Sequence, residues 1–421
     1  MIILRLVSRC GRRLAATLTA LWSTAAAAVV VGAAPLPDST WVGLASLPGQ
    51  GRAAVFALAV DPTDDQAVLA SNSQGSLLRS TTGGAGWTVV HAGKSPVNAI
   101  AFDPNSPRVV LAGTRGGGGL MSRDGGATWS SAGGLEGRSV HAFAFALDSM
   151  YAGTDTGVYA SADGSKWTAS GAAGHSISAI AVEAIHPPVR VVAGSDAQTG
   201  ARGLVLFQTL DGGTTWTQLA TTITGTMIVS MAAGPLPPTG NVRPLLVGTN
   251  TGLFASGDNG STFAPISGGG LLPTTDYTDL AFVTTHFDRF YAASDGGGSA
   301  SGGVWRTTDG AATFTSLRPP ELAVTALAVS DDEQPVLYVA TFDPSTHTPS
   351  LWAFHDTGGP PVGPVRSPRP VGSGASPERP PDTSSLSQLL SSPELPYLGL
   401  GLGALAVVLT AIAAHLRGRQ R

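Results

Sequence analysis

Cysteine is all but absent. The only one among 421 residues is Cys10, inside a cationic leader, so the chain beyond that leader cannot be held by disulfides. Charge is scarce at 12%, and segments of helical period are few, which excludes a solenoid of helical repeats. Turn chemistry takes their place: 55 Gly and 30 Pro punctuate short apolar stretches, an all-β signature. A hydrophobic content of 43% excludes disorder throughout.

The two ends differ from the middle. Arg5, Arg9, Arg12 and Arg13 precede an apolar run over 14–34 that closes in small residues, the layout of a signal peptide (1–34) cleaved after Ala33 or Ala34, or of a signal anchor if uncleaved. Cys10 precedes this run, so a lipoprotein reading fails. Residues 397–416, "YLGLGLGALAVVLTAIAAHL", are long and apolar enough to span a bilayer as a helix. The basic tail 417–421, with Arg417, Arg419 and Arg421, is then cytoplasmic by the positive-inside rule. Before the span, 357–396 is rich in Pro, Ser and Gly and reads as an extended stalk. Between leader and tail, 28 acidic residues face 17 basic ones, a net charge of −11. Such a surface excludes nucleic acid and anionic lipid as non-specific partners.

One stretch recurs in register: "STTGGAGW" (80–87), "SRDGGATW" (122–129), "SADGSKW" (161–167), "TLDGGTTW" (209–216), "SGDNGSTF" (256–263) and "TTDGAATF" (307–314). Each follows two strand-like segments, such as "VNAIAFDP" and "RVVLAGT". From aromatic to aromatic the spacings are 42, 38, 49, 47 and 51 residues, about the size of a four-stranded propeller blade. The grammar has a physical basis. Ser or Thr closes a third strand, the Asp accepts backbone N–H groups across the turn, Gly supplies positive φ, and the aromatic opens the fourth strand.

These stretches resemble Asp-boxes, or BNR repeats, of the form S/T-x-D-x-G-x-x-W/F. The resemblance covers roughly 39–356 and implies a β-propeller of the sialidase, sortilin and photosystem II assembly-factor groups. Departures are Thr82 in place of Asp, a third copy one residue short, and Ala311 in place of Gly. After the sixth box come three more strand-like segments and half a box around Asp356, while 39–49 is a lone strand without a blade. The expected architecture is an all-β, seven-bladed propeller closed by that N-terminal strand, followed by the C-terminal transmembrane helix. The Ala, Gly and Arg bias suggests a GC-rich bacterium, placing the chain as a single-pass protein of the bacterial cell membrane with the propeller outside.

Asp124, Asp163, Asp211, Asp258 and Asp309, with Trp129, Trp167, Trp216, Phe263 and Phe314, occupy equivalent turns of separate blades and cannot converge on one substrate. They read as structural pins. The candidate binding face is the opposite rim, where second-to-third-strand loops hold Arg115, Asp155, Asp196, Arg202, Asn250, Asp295 and Asp343. Inter-blade connections add Asn98, Arg138, His175, Asp276 and Tyr277. Each competes with a plain solvated-loop reading. Sialidase chemistry is rejected, because the Arg-Ile-Pro segment and arginine clamp implied by that resemblance are missing and seven blades replace six.

The sequence thus favours a non-catalytic membrane-anchored scaffold binding an unknown protein or glycan partner, with the membrane itself engaged through the C-terminal helix. A cell-surface glycoside hydrolase using two of Asp155, Asp196 and Asp295 is the alternative. No cofactor and no metal are expected: the histidines lack ligand spacing, and "DPTDDQ" at 61–66 matches the ordinary turn "DPNSPR" one blade on.

Overall fold

Alternating strands such as "VNAIAF" and continuous ones such as "VLAGT" need different surroundings, and the fold supplies both. The computed structural model describes residues 35–358 except 50, 185–188, 197–203, 239–241, 273 and 299–301. The leader, most of the stalk, the span, the tail and Arg202 lie outside the described residues. Among these residues no helix is long and apolar enough to cross a membrane.

Seven four-stranded antiparallel sheets form the blades. Numbered by position, blades 1 to 6 run over 58–92, 97–132, 140–171, 177–219, 228–266 and 279–316. Blade 7 combines Val324–Val329, Val336–Asp343 and Thr348–His355 with the N-terminal strand Trp41–Gly43. The innermost strands neighbour one another in sequence order, and the last returns to the first. Second strands such as Val110–Thr114, Met150–Thr154 and Leu245–Thr249 are buried at every position, because adjacent blades cover both of their faces. That is why they read as unbroken apolar runs.

The blades approach closely enough to dictate residue size. A Cβ on Gly153 would lie 2.8 Å from Ile177 of blade 4, and one on Gly194 would lie 2.7 Å from Ile228 of blade 5. Hydroxyls stitch other seams. Ser71 donates to Val97 O at 2.9 Å, Ser230 to Tyr277 O at 2.8 Å, Thr278 to Val324 O at 3.0 Å and Thr325 to Val55 O at 2.9 Å.

Closure follows the surplus-strand argument. Trp41 pairs with Phe354 and Gly43 with Trp352, the Trp41 and Phe354 rings lie 4.8 Å apart, and the Trp41 indole N–H donates to Leu317 O at 2.7 Å. One detail differs from the sequence reading. Asp356 does not begin a seventh box: with 0% exposure it accepts from Tyr291 OH at 2.6 Å and from Arg289 at 3.0 Å, and it pairs with Arg306. The fourth strand here comes from the other end of the chain; Asp356 keeps a local bond from Gly358 N at 3.0 Å, but its other partners anchor the departing chain to blade 6.

Candidate functional site

The repeated turns lie on one face, each braced within itself. In blade 2, Gly126 N donates to Ser122 Oγ at 2.9 Å, Ser122 Oγ donates to Asp124 Oδ1 at 2.7 Å, and Thr128 donates through N to Oδ1 at 2.8 Å and through Oγ1 to Oδ2 at 2.6 Å. Asp211, Asp258 and Asp309 accept from Thr215, Thr262 and Thr313 in the same way, and Asp163 in the shortened copy accepts from Ser165 N at 2.9 Å. Trp129 and Trp167 lock over their own turns, donating to Gly126 O and Gly164 O. Trp216 reaches blade 3 through Ser170 Oγ, while Phe263 and Phe314 are buried in the core between blades. Hydrogen bonds from Thr128 hold the Asp124 carboxyl down at about 2, so it stays an ionised acceptor. These carboxylates are engaged in their own turns and sit one per blade.

On the opposite face the sequence-derived candidates separate. Asp196 is half-buried and crosses a seam, accepting from Ile228 N of blade 5 at 3.0 Å and from Ser178 Oγ at 3.1 Å. Asn250 clamps the connection into its own blade, accepting from Thr226 N at 3.0 Å and Met227 N at 3.2 Å. Asp343 caps its own turn through Ser345 N at 2.8 Å. Arg138 stacks over Tyr159 at 5.2 Å, and His175 meets Phe207 edge-on at 4.6 Å. Tyr277 is fully buried, with its hydroxyl donated to Leu272 O at 2.6 Å.

Two groupings do form there. Arg115 and Asp155 are exposed at the mouth, and with Asp196 they surround His141 on the inner strand Val140–Phe145. Burial pushes the His141 imidazole below its ordinary value; Asp155 and Asp196 oppose that and Arg115 reinforces it. Farther round, Asp276 Oδ1 and Asp295 Oδ1 both accept from Gly297 N, at 2.7 and 2.8 Å, so the two oxygens lie within about 5.5 Å of each other. His141 went unnoticed as a site residue because a single histidine in an alternating strand carries no motif.

The feature that sequence reasoning missed is a cleft on the box face, at the seam where blade 7 meets blade 1. Its volume is about 560 Å³, and Asp61, Asp64, Asp65, Asp331, Asp332 and Glu333 line it with Pro62, Thr63, Gln334 and His355. The first-to-second-strand turns of the two blades supply all six carboxylates. Their side-chain hydrogen bonds come from neutral groups: Thr63 to Asp61, Gln66 to Asp64 and Asp65, Thr284 to Asp331 and Ser330 to Asp332. Arg289, behind the wall, is directed to Glu333 O and Asp356. Among the described residues no Lys or Arg pairs with any of the six carboxylates. The one signal in the sequence is "SDDEQP" at 330–335, which becomes meaningful only beside "DPTDDQ". Within the described residues no three His, Cys, Asp or Glu are grouped so as to hold a metal ion.

No protein-family model matches the chain, and no curated protein does. Solved structures do resemble it. YCF48 bound to a D1 peptide superposes with a TM-score of 0.52 at 17% identity, covering 79% of this chain and 99% of that one. U3-55K gives 0.56 at 13% identity, covering 76% and 99%. An ancestral GH74 enzyme gives 0.44 at 18% identity, covering 70% of this chain and 40% of its own. The likeness to YCF48 and U3-55K, at these identities, establishes a shared propeller fold and nothing more.

Proposed function

We propose that this chain is a non-catalytic scaffold, tethered to a bacterial membrane with its propeller outside, that binds a protein partner through Lys or Arg side chains seated in the acidic cleft between blades 7 and 1. The cleft carries this reading. Six carboxylates with no Lys or Arg paired to them among the described residues repel anionic sugars and nucleic acid, and a lining without Trp, Tyr or Phe offers no stacking platform for a neutral glycan. A partly exposed cation 4 Å from a carboxylate gains about 1–4 kcal/mol before desolvation, so a few such contacts suffice for a specific but salt-sensitive complex. A propeller of similar fold can carry a peptide, since YCF48 was solved bound to one. The tether rests on the sequence pattern at the two ends.

The test is binding of a Lys/Arg-rich peptide to the full-length chain. Micromolar binding that weakens with salt, is lost with Asp64→Asn, Asp332→Asn and Glu333→Gln combined, and is absent for a Ser-substituted peptide supports the reading. Binding indifferent to those changes overturns it.

The hydrolase reading keeps one observation in its favour. Asp276 Oδ1 and Asp295 Oδ1 converge on one backbone N–H, that of Gly297, which sets two carboxylates side by side at the mouth. Glycoside turnover lost in both Asp276→Asn and Asp295→Asn would establish it, whereas their shared bond to Gly297 N makes them a loop brace in the scaffold.

A further inference from the structure

Among the described residues, the buried side-chain oxygens without a hydrogen-bond partner all belong to the seam between blades 4 and 5. Near its mouth end, Asp196 crosses it, Oδ1 accepting from both Ser178 Oγ and Ile228 N. Near its box end lies Glu183, in the inner strand Ile177–Ala184, with 2% exposure and neither carboxyl oxygen hydrogen-bonded. The register explains how it gets there. Val182 pairs with Val191 and Ala184 with Arg190, so Glu183 is the unpaired residue of a bulge, swung out of the ladder.

The facing turn of blade 5 is also unusual. Asn259 holds φ +61° in a slot that Gly125, Gly212 and Gly310 fill in other blades. Its backbone carbonyl accepts from Gln208 Nε2 at 2.8 Å, but its side-chain Oδ1 is buried without a partner. Three acceptor oxygens thus share one seam with no donor for them. The charged groups acting on Glu183 are Arg190, on the neighbouring strand, and Asp258, in the facing turn. They oppose each other, and neither forms an ion pair with it. A buried, unpartnered carboxylate is costly, whereas the protonated form loses its charge and gains a donor.

We propose that Glu183 is a proton-dependent latch: protonated, it keeps the seam between blades 4 and 5 closed, and opening that seam to water releases the proton. Because Asp196 and Ile228 span the same seam, loosening reaches the loops at the channel mouth. The sign is fixed by linkage. Burial raises the closed-state pKa from 4.5 to about 7, so opening becomes easier as pH rises from about 4.5 to about 7, and then levels off. The full shift corresponds to a rise in the open fraction of up to roughly two orders of magnitude.

The experiment is hydrogen exchange on the full-length chain between pH 4.5 and 8.5, comparing wild type with Glu183→Gln so that the intrinsic pH dependence cancels. The wild-type to variant ratio of exchange rates should climb across that window in Ile177–Ala184 and in 256–263, and stay flat in Leu58–Asp61. A flat ratio in all three segments overturns the latch. Should Glu183→Gln fail to fold, infrared spectra of an Asp279→Asn protein decide the matter. A protonated-carboxyl band persisting at pH 6.5 supports the proposal, and its disappearance below pH 6 refutes it.

Discussion

Replacing Trp41 with Ala tests the element on which the whole ring depends. Its strand, Trp41–Gly43, completes blade 7 from the opposite end of the chain. The ring pair with Phe354 at 4.8 Å is worth about 0.5–1.5 kcal/mol. The indole N–H bond to Leu317 O adds about 1 kcal/mol. Because the side chain is only partly buried, its apolar contact contributes about 1–2 kcal/mol, roughly half the value for a fully buried one. The expected loss is therefore about 3–4 kcal/mol, at the low end for Trp→Ala in a core. Denaturant unfolding of the full-length chain measures it, and Trp41→Phe, which keeps a ring but not the N–H, should lose only about 1 kcal/mol. Hydrogen exchange should show the damage concentrated in Thr348–His355, with Val140–Phe145 spared. A loss below about 1 kcal/mol for Trp41→Ala, or protection falling equally in every blade, would refute the view that this strand closes the ring.

Other expectations concern the braced turns and the channel. Asp124→Ala should cost about 1 kcal/mol by freeing Thr128 and Ser122, while Asp155→Ala at the exposed mouth should change unfolding by less than about 0.5 kcal/mol. Since the Asp124 pKa is depressed to about 2, its contribution is present above pH 4 and lost as pH falls toward 2; an acid titration of stability that is the same in Asp124→Ala and wild type would contradict this. Asp279 behaves oppositely. Desolvation in the ring interior pushes its pKa up to about 6, despite bonds from Leu280 N and Leu327 N, so its part of the stability declines as pH rises from 3.8 to about 6. Asp279→Asn should flatten that decline in a pH series of unfolding midpoints.

Residues 39–49 show what sequence alone could decide. Period-two alternation, the box grammar and a strand without a blade are all local signals, and together they specified seven blades and their closure, because strand pairing and turn chemistry depend on a few neighbouring residues. The brace formed by Asp124 was equally legible, since every bond it makes stays within six residues. Asp196 and Asn250 were not legible as clamps, because Asp196 reaches Ile228 of the next blade and Asn250 the connection at Thr226, each more than twenty residues away, and a polar loop side chain reads the same whether engaged or solvated. The acidic cleft was hidden more deeply. Its two turns, around Asp64 and Asp332, belong to the first and last blades in sequence and meet only when the ring closes. Glu183 looked like one residue of an ordinary strand until a bulge and the facing turn of blade 5 removed its water. Local chemistry thus chose the fold, and the rigid closure of seven blades chose which charges meet.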